Sequence, residues 1–213
     1  MSAHAFRLIE TDADVAEGAA WLARAEPRFA EALAATGPLP LRRRPGGFPA
    51  LLKAICGQQL SVASAEAVWR RLEGVGACTP DGIVVLDDAA LRDCGLSRQK
   101  IAYARAIAEA GLDFDALAAM PEEEAVAEMT AIKGVGTWTA EIYLMFAVGR
   151  ADVFAPGDLA LQEGARLIFA LDERPRPKPF RDMAEAWRPW RAVAARLLWA
   201  YYAQAKRREG VST

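Results

Sequence analysis

Residues 129–158, MTAIKGVGTWTAEIYLMFAVGRADVFAPGD, decide the fold. Two helices are predicted to meet within this stretch at Lys133-Gly134-Val135-Gly136, a connection too tight for an ordinary loop. Glycine adopts positive φ angles without steric cost and lets the backbone approach a partner closely. The second helix is predicted to begin at about Thr137, and the N–H groups of its first turn can bind an anion. A DNA phosphate would fit that site, although glycine turns between helices are also common as purely structural features.

The same stretch ends with an aspartate at the predicted start of another helix. Pro156-Gly157 predicts a turn, and Asp158 then occupies the N-cap position. Most aspartates in such a place only cap the helix. The N-cap position also keeps a carboxylate ionised and rigidly aimed, as a catalytic anion requires. Asp158 is therefore a candidate catalytic residue as well as a cap.

Helical patterns extend through nearly the whole chain, because apolar residues recur with helical spacing behind capping residues. The predicted helices cover 13–35, 48–57, a segment from the N-cap Ser61 to 74, 87–94, and a helix that Ser97 caps. The predicted exceptions are a short extended segment, 78–86, and a stiff proline-rich connector, 174–179. One short extended segment cannot found a sheet. The fold class is therefore predicted to be all-α.

Composition excludes several classes of protein. The chain has 213 residues, 53% of them hydrophobic, yet no apolar run approaches the roughly 20 residues of a membrane span. Its first residues lack the layout of a secretory signal. Cys56, Cys78 and Cys94 are far apart and odd in number, which is typical of a reducing compartment. With one histidine and three cysteines, a zinc site is disfavoured and a four-cysteine iron–sulfur cluster is impossible within one chain. We expect a cytoplasmic protein without membrane association, which would be nucleoid-associated in a bacterium.

The charge balance is not that of a typical nucleic-acid-binding protein, since the net charge is −2 and the pI is about 5.6. Any DNA binding would depend on backbone N–H groups and local basic clusters. Candidate clusters are 42–44, Arg188 with Arg191 and Arg196, and 206–208. Each cluster taken alone is more typical of a solvated surface.

Four motifs, in order along the chain, resemble those of the helix-hairpin-helix superfamily of DNA glycosylases, and within it the 3-methyladenine DNA glycosylase II branch. The sequence GVGTWTA at 134–140, together with Asp158, is similar to the hairpin and the Gly/Pro-rich loop with its aspartate. The other motifs are ICGQQLSV at 55–62, GLS at 95–97 followed by Lys100, and WRPWR at 187–191 followed by Trp199, which resembles a C-terminal helix motif. The likeness covers about residues 45–202.

The resemblance implies an architecture. Two helical lobes would flank a DNA-binding cleft, with the helix-hairpin-helix motif at about 129–148. Residues 1–213 would form a single helical glycosylase unit, in which 1–44 are a helical N-terminal extension packing on the rest.

The resemblance also implies a reaction in base excision repair. The protein would flip an alkylated purine (3-methyladenine or 7-methylguanine) out of double-stranded DNA and hydrolyse its N-glycosidic bond, leaving an abasic site. Asp158 would be the catalytic carboxylate. Bifunctional members carry a nucleophilic lysine just after the hairpin, where this chain has Trp138, so a monofunctional glycosylase is expected. No cofactor is expected, apart from a monovalent cation that the hairpin backbone could hold, and no obligate protein partner.

The remaining candidate site residues fall into three groups. Aromatic faces attract a cationic methylated purine, and the candidates for such a base pocket are Trp138, Tyr143 and Trp199. The DNA-binding residues of the hairpin would be Gly134, Val135, Gly136, Thr137 and Thr139. Gln59 and Leu60 would form the wedge that fills the gap left by the flipped base, although Leu60 could equally pack in a core.

Three other functions are compatible with parts of this pattern. A non-enzymatic helix-hairpin-helix module would bind DNA but would have no use for a carboxylate at Asp158. A glycosylase for deaminated or oxidised bases would share the hairpin and differ in its pocket. A helical protein-interaction domain would suit the acidic pI, and it would show no salt-dependent affinity for DNA.

Overall fold

The computed structural model describes residues 6–208 and residue 210. Within these residues the chain forms thirteen α-helices and no strand, apart from one isolated antiparallel bridge between Leu8 and Arg150. The helices are α1 Asp12–Ala25, α2 Pro27–Thr36, α3 Phe48–Gly57, α4 Val62–Gly74, α5 Pro80–Val85, α6 Asp88–Asp93, α7 Arg98–Glu109, α8 Phe114–Ala119, α9 Glu122–Thr130, α10 Thr137–Tyr143, α11 Leu159–Ile168, α12 Pro177–Ala184 and α13 Arg191–Arg208. The predicted all-α fold is confirmed.

The chain divides into two compact helical units, as the prediction of two lobes requires. Among the described residues one unit is continuous, Arg44–Tyr143, and contains α3 to α10. The other is discontinuous: it combines 6–43 with the described residues from 144 onwards, and so contains α1, α2 and α11 to α13. In this second unit α13 packs against α1, α2 and α11.

Most helix starts were predicted because they are encoded locally. The Ser61 and Ser97 hydroxyls accept from the N–H groups of Ser64 and Lys100, three residues further on in each case. Asp87 and Asp158 cap α6 and α11 through their carboxylates. A side-chain oxygen satisfies N–H groups that the first helical turn leaves without an intrahelical partner.

Of the two predicted extended segments, 78–86 is mostly helical, so that prediction was wrong, whereas 174–179 is helical only from Pro177 onwards. In 78–86 the Thr79 hydroxyl accepts from the Gly82 N–H at 3.0 Å and Pro80 occupies the first position of α5. A Cβ at Gly82 would lie 2.0 Å from the Gly76 carbonyl oxygen, so the glycine permits a close approach. In 174–179 the last three residues begin α12, because prolines in a first turn lose no intrahelical hydrogen bond.

The motif at 187–191 also differs from its prediction as part of a helix. A 3₁₀ turn, Glu185–Trp187, precedes a cis peptide bond between Arg188 and Pro189, and α13 begins only at Arg191.

Trp187 packs in a buried aromatic cluster with Phe29, Phe154, Phe169 and Phe180. This cluster joins the amino-terminal helix α2 to the carboxyl-terminal half of the chain.

Helices α11 and α13 approach each other unusually closely, and this approach positions the candidate catalytic residue. A Cβ at Gly164 would lie 2.5 Å from the carbonyl oxygen of Leu198, so glycine lets the two backbones meet. The next residue along α13 is Trp199. The middle of α11 and the middle of α13 therefore lie side by side.

Candidate active site

The predicted hairpin is present between α9 and α10. Gly134 has a φ of +98°, and a Cβ there would lie 2.2 Å from Cγ of Tyr103. The Val135 N–H donates to the Ile132 carbonyl at 3.1 Å, which closes the turn. Gly136 does not have a positive φ, and a Cβ there would meet nothing within 4 Å. Only one of the two glycines therefore uses the conformational freedom expected of both.

The residues predicted to contact DNA are not equally accessible. Thr137 and Trp138 are exposed, Trp138 to 44%, whereas Val135 and Thr139 are buried. The Thr139 side chain faces the protein interior and is 4% exposed. Only the backbone N–H of this residue could therefore bind an anion. The exposed residues of the hairpin and of the start of α10 are Lys133, Gly136, Thr137 and Trp138.

Tyr143, a predicted pocket residue, lies in the interior of the continuous unit. Its hydroxyl accepts a hydrogen bond from the Gly47 N–H at 2.8 Å, and its ring centroid lies 5.8 Å from that of Phe114. Burial raises the pKa of this phenol. The contacts are those of a residue that stabilises the unit, and a role in a base pocket stays a prediction.

Asp158 is held by three donors that converge on one carboxylate oxygen. Its Oδ1 accepts from the N–H groups of Ala160 and Leu161, each at 2.9 Å, and from Nε1 of Trp199 at 3.2 Å. The side chain is half-buried. The residue is thus both a cap and a carboxylate that is held in one orientation.

The loop before Asp158 is also held in place. The Asp158 N–H donates to the Ala155 carbonyl at 3.0 Å, and the buried amide of Gln162 donates from Nε2 to the Pro156 carbonyl at 2.8 Å. Gln162 was not predicted as a site residue. Its sequence signal is a polar side chain four residues after Asp158, on the face of α11 that the apolar residues bury.

Trp199 was predicted as a pocket wall, and the structure gives it a contact to the catalytic candidate. Its indole packs against Phe146, with ring centroids 5.7 Å apart, and the Arg42 guanidinium carbon lies 5.9 Å from the indole centroid. These neighbours, with the bond to Asp158, fix the plane of the indole. A contact with a base stays a prediction for this residue.

One predicted basic cluster is not a surface cluster. Arg191 and Arg196 are buried at 2% and 0% exposure. The Arg191 guanidinium bonds Asp152 at 2.8 Å and Glu185 at 3.1 Å, and Arg196 donates to the Leu41 carbonyl at 2.9 Å. Burial, and the neighbouring Arg42 and Arg43, lower the pKa of Arg196 to about 10. These arginines hold the discontinuous unit together.

The predicted wedge is exposed. Gln59 is exposed with a φ of +58°, and Leu60 is 40% exposed. The alternative that Leu60 packs in a core is therefore wrong. The use of either side chain as a wedge stays a prediction.

No group of three or more His, Cys, Asp or Glu residues in the described part of the chain could hold a metal ion. No helix among the described residues is long and apolar enough to cross a bilayer. A monovalent cation on the hairpin carbonyls stays a prediction; the Gly136 carbonyl already accepts the Ala140 N–H at 3.0 Å.

Asp158, which caps α11 and accepts three hydrogen bonds, lies 22 residues after Gly136 of the hairpin in an all-α fold. The chain belongs to the HhH-GPD superfamily of base excision DNA repair proteins, whose family model matches residues 52–191. It is 31% identical over 161 residues to DNA-3-methyladenine glycosylase 1 of Schizosaccharomyces pombe, with 71% of each chain covered.

Two solved structures share the fold over nearly their whole length. A DNA-3-methyladenine glycosidase from Bacillus halodurans superposes with a TM-score of 0.79 at 30% identity, covering 97% of this chain and 95% of that one. A 3-methyladenine DNA glycosylase of S. pombe in complex with abasic DNA gives 0.76 at 26% identity, covering 89% and 97%. The resemblance stated from the motifs is confirmed at the level of the superfamily and its alkylated-base branch.

Proposed function

We propose that this protein is a monofunctional DNA glycosylase that removes alkylated purines, 3-methyladenine and 7-methylguanine, from double-stranded DNA. The observation that carries the proposal is the carboxylate of Asp158, fixed by two backbone N–H groups and one indole in a chain of the base-excision repair superfamily. A protein that only bound DNA would gain nothing from an anion placed near phosphates. Relatives described as 3-methyladenine glycosylases support the substrate class.

The reaction needs little from the protein beyond positioning and charge. A purine methylated at N3 or N7 is cationic within DNA, so the C1′–N bond breaks with its electron pair leaving on a base that becomes neutral. Asp158 would stabilise the positive charge that develops at C1′ and orient a water molecule. That water adds its oxygen to C1′ and releases a proton, which yields an abasic sugar and a free base.

DNA binding would rest on the hairpin rather than on a basic surface. The net charge of −2 disfavours general attraction to phosphates. The amino end of α10 has N–H groups that suit one phosphate, and Gly136 leaves open space in front of it. We propose that the chain acts as a single unit on double-stranded DNA, without an obligate protein partner.

Base release from defined oligonucleotides tests the function. Duplexes carrying 3-methyladenine, 7-methylguanine, hypoxanthine or 8-oxoguanine would be incubated with the protein and with Asp158→Asn, and the free bases measured by chromatography. We expect fast release of the two cationic bases, slow release of hypoxanthine, and loss of release in the variant. Efficient release of hypoxanthine or 8-oxoguanine alone would contradict the substrate class. Binding without release of any base would favour a non-enzymatic module.

A further inference from the structure

The exposed turn that carries Gln59 and Leu60 has an unfavourable backbone. The Leu60 N–H donates to the Gly57 carbonyl at 3.2 Å, Gln58 has φ −55° and ψ 132°, and Gln59 has φ +58°. This is a type II turn, which requires a positive φ at its third residue and therefore favours glycine or asparagine there. A glutamine holds that conformation only when its surroundings impose it.

One cationic side chain, that of Lys100, contacts the backbone of this turn. The ammonium of Lys100, in the first turn of α7, donates to the carbonyls of both Cys56 and Gln58 at 2.7 Å. One group thus joins the last turn of α3 to the central peptide of the type II turn, the one between Gln58 and Gln59. Lys100 is half-buried, and burial lowers the pKa of its amine. Hydrogen bonds from a charged donor are stronger than neutral ones.

The bonds hold the turn in a fixed place as well as a fixed shape. Lys100 stands on α7, whose start the Ser97 hydroxyl caps, and α7 packs along α3 in the continuous unit. Without the ammonium, two carbonyls at the carboxyl end of α3 would lose their donor. The strained Gln59 would then be free to relax, and the directions of the Gln59 and Leu60 side chains would change with it.

We propose that Lys100 is a positioning residue for base extrusion, which holds the turn of Gly57 to Leu60 so that its exposed side chains enter the DNA stack in place of the damaged base. This role rests on the proposed glycosylase function. Lys100 touches neither the base nor the sugar in this scheme. Its contribution is confined to the step in which the base leaves the stack.

The test compares two substrates that differ only in the cost of extrusion. One duplex holds 7-methylguanine in a normal pair, and the other holds it in a mismatched bubble, where unstacking is easier. Lys100→Met should lower single-turnover release from the paired duplex by roughly tenfold or more, since two charge-assisted bonds are lost, and release from the bubble by less than about twofold. Equal losses on both substrates, or no loss on either, would overturn the proposal.

Three further variants keep the outcome interpretable. Lys53→Met removes an exposed lysine of the same unit, paired with Glu66 at 3.2 Å, and should leave the two rates unchanged. Lys100→Gln keeps one donor, so its paired-duplex rate should be intermediate even if Lys100→Met folds poorly. Gln59→Asn keeps the amide and suits a positive φ, so it should restore part of the paired-duplex rate of Lys100→Met. Absence of that rescue would count against the turn as the target of Lys100.

The proposed function and this role can fail separately. Wild-type protein that released no base from the paired duplex or the bubble would overturn the glycosylase function, and the positioning role with it. Wild-type activity on both substrates, with an unaltered ratio in Lys100→Met, would overturn the positioning role alone.

Discussion

The indole N–H of Trp199 and the Oδ1 atom of Asp158 are joined by a hydrogen bond of 3.2 Å, although the two residues are 41 positions apart. The same oxygen caps α11, so a single atom receives one donor from α13 and two from the backbone of its own helix. The orientation of the carboxylate is therefore set by the packing of α11 on α13. Both residues can be tested separately.

Asp158→Asn should retain the fold and lose the reaction. An asparagine oxygen can still accept the three donors, and Asn and Asp are comparable N-caps, so the stability loss should stay below about 1 kcal/mol. The charge at C1′ would lose its counter-ion, so base release should fall by about a hundredfold or more. Single-turnover release and DNA affinity would be measured together. A variant with wild-type rates would remove the carboxylate from the mechanism.

Trp199→Phe should keep an aromatic face and lose the hydrogen-bond donor. A hydrogen bond to a charged group contributes about 1.5–3 kcal/mol, so base release should fall roughly tenfold or more while DNA affinity is retained. Trp69→Phe is a matched control, because Trp69 donates from Nε1 to Glu73 at 2.7 Å in the other unit. Equal effects of the two substitutions would indicate a loss of general stability.

Trp138 stands where bifunctional relatives have a lysine, so no covalent intermediate should form. Sodium borohydride traps a Schiff base between an amine and the abasic sugar. We expect no trapped protein–DNA adduct, and strand breaks only after alkali or heat. An abundant adduct would show that another lysine supplies a lyase activity.

Gly134 and Gly136 should differ sharply on substitution. Gly134→Ala places a Cβ at a φ of +98° and against Tyr103, so the melting temperature should fall. Gly136→Val meets open space and should cost little more than a poorer N-cap, about 1 kcal/mol. It should nevertheless weaken binding to DNA of any sequence, because its side chain stands where a phosphate would approach. Unchanged affinity in Gly136→Val would leave the hairpin with a structural role alone.

Trp138→Ala should slow the release of 7-methylguanine and leave DNA affinity largely intact. An aromatic face contributes roughly 0.5–2 kcal/mol to a cation, so the rate should fall by a few-fold to about thirtyfold. Trp138→Phe keeps a face and should lose less. If the substitutions slowed the release of a neutral base such as hypoxanthine as much as that of 7-methylguanine, an electrostatic attraction between the Trp138 ring and the cationic base would be contradicted.

Features encoded within a few residues were predictable from the sequence. The caps at Ser61, Ser97 and Asp158 and the turn at Gly134 each depend on neighbours in the chain, and all four were predicted. The error at 78–86 arose because apolar β-branched residues outweighed the N-terminal signal of Thr79 and Pro80.

Features that join distant segments were not predictable. The bond from Trp199 to Asp158, the bonds from Lys100 to the turn after α3, and the burial of Arg196 against Leu41 depend on which helices pack together. Thr137 and Thr139 were predicted to act alike, and the structure separates them because alternate positions at a helix start face opposite environments. Periodicity in so short a segment does not say which face is buried.

The discontinuous unit has a consequence for synthesis on the ribosome. Helices α1 and α2 are translated before α3 to α10, whereas the residues that cover Phe29, namely Phe169 and Trp187, and the long helix α13 are translated after them. During that interval α1 and α2 are without the residues that cover Phe29, so apolar surface of the nascent chain stays exposed and prone to aggregation. A circular permutant that begins at the continuous unit and joins 6–43 behind α13 would shorten the interval and should give more soluble protein on expression at high rates.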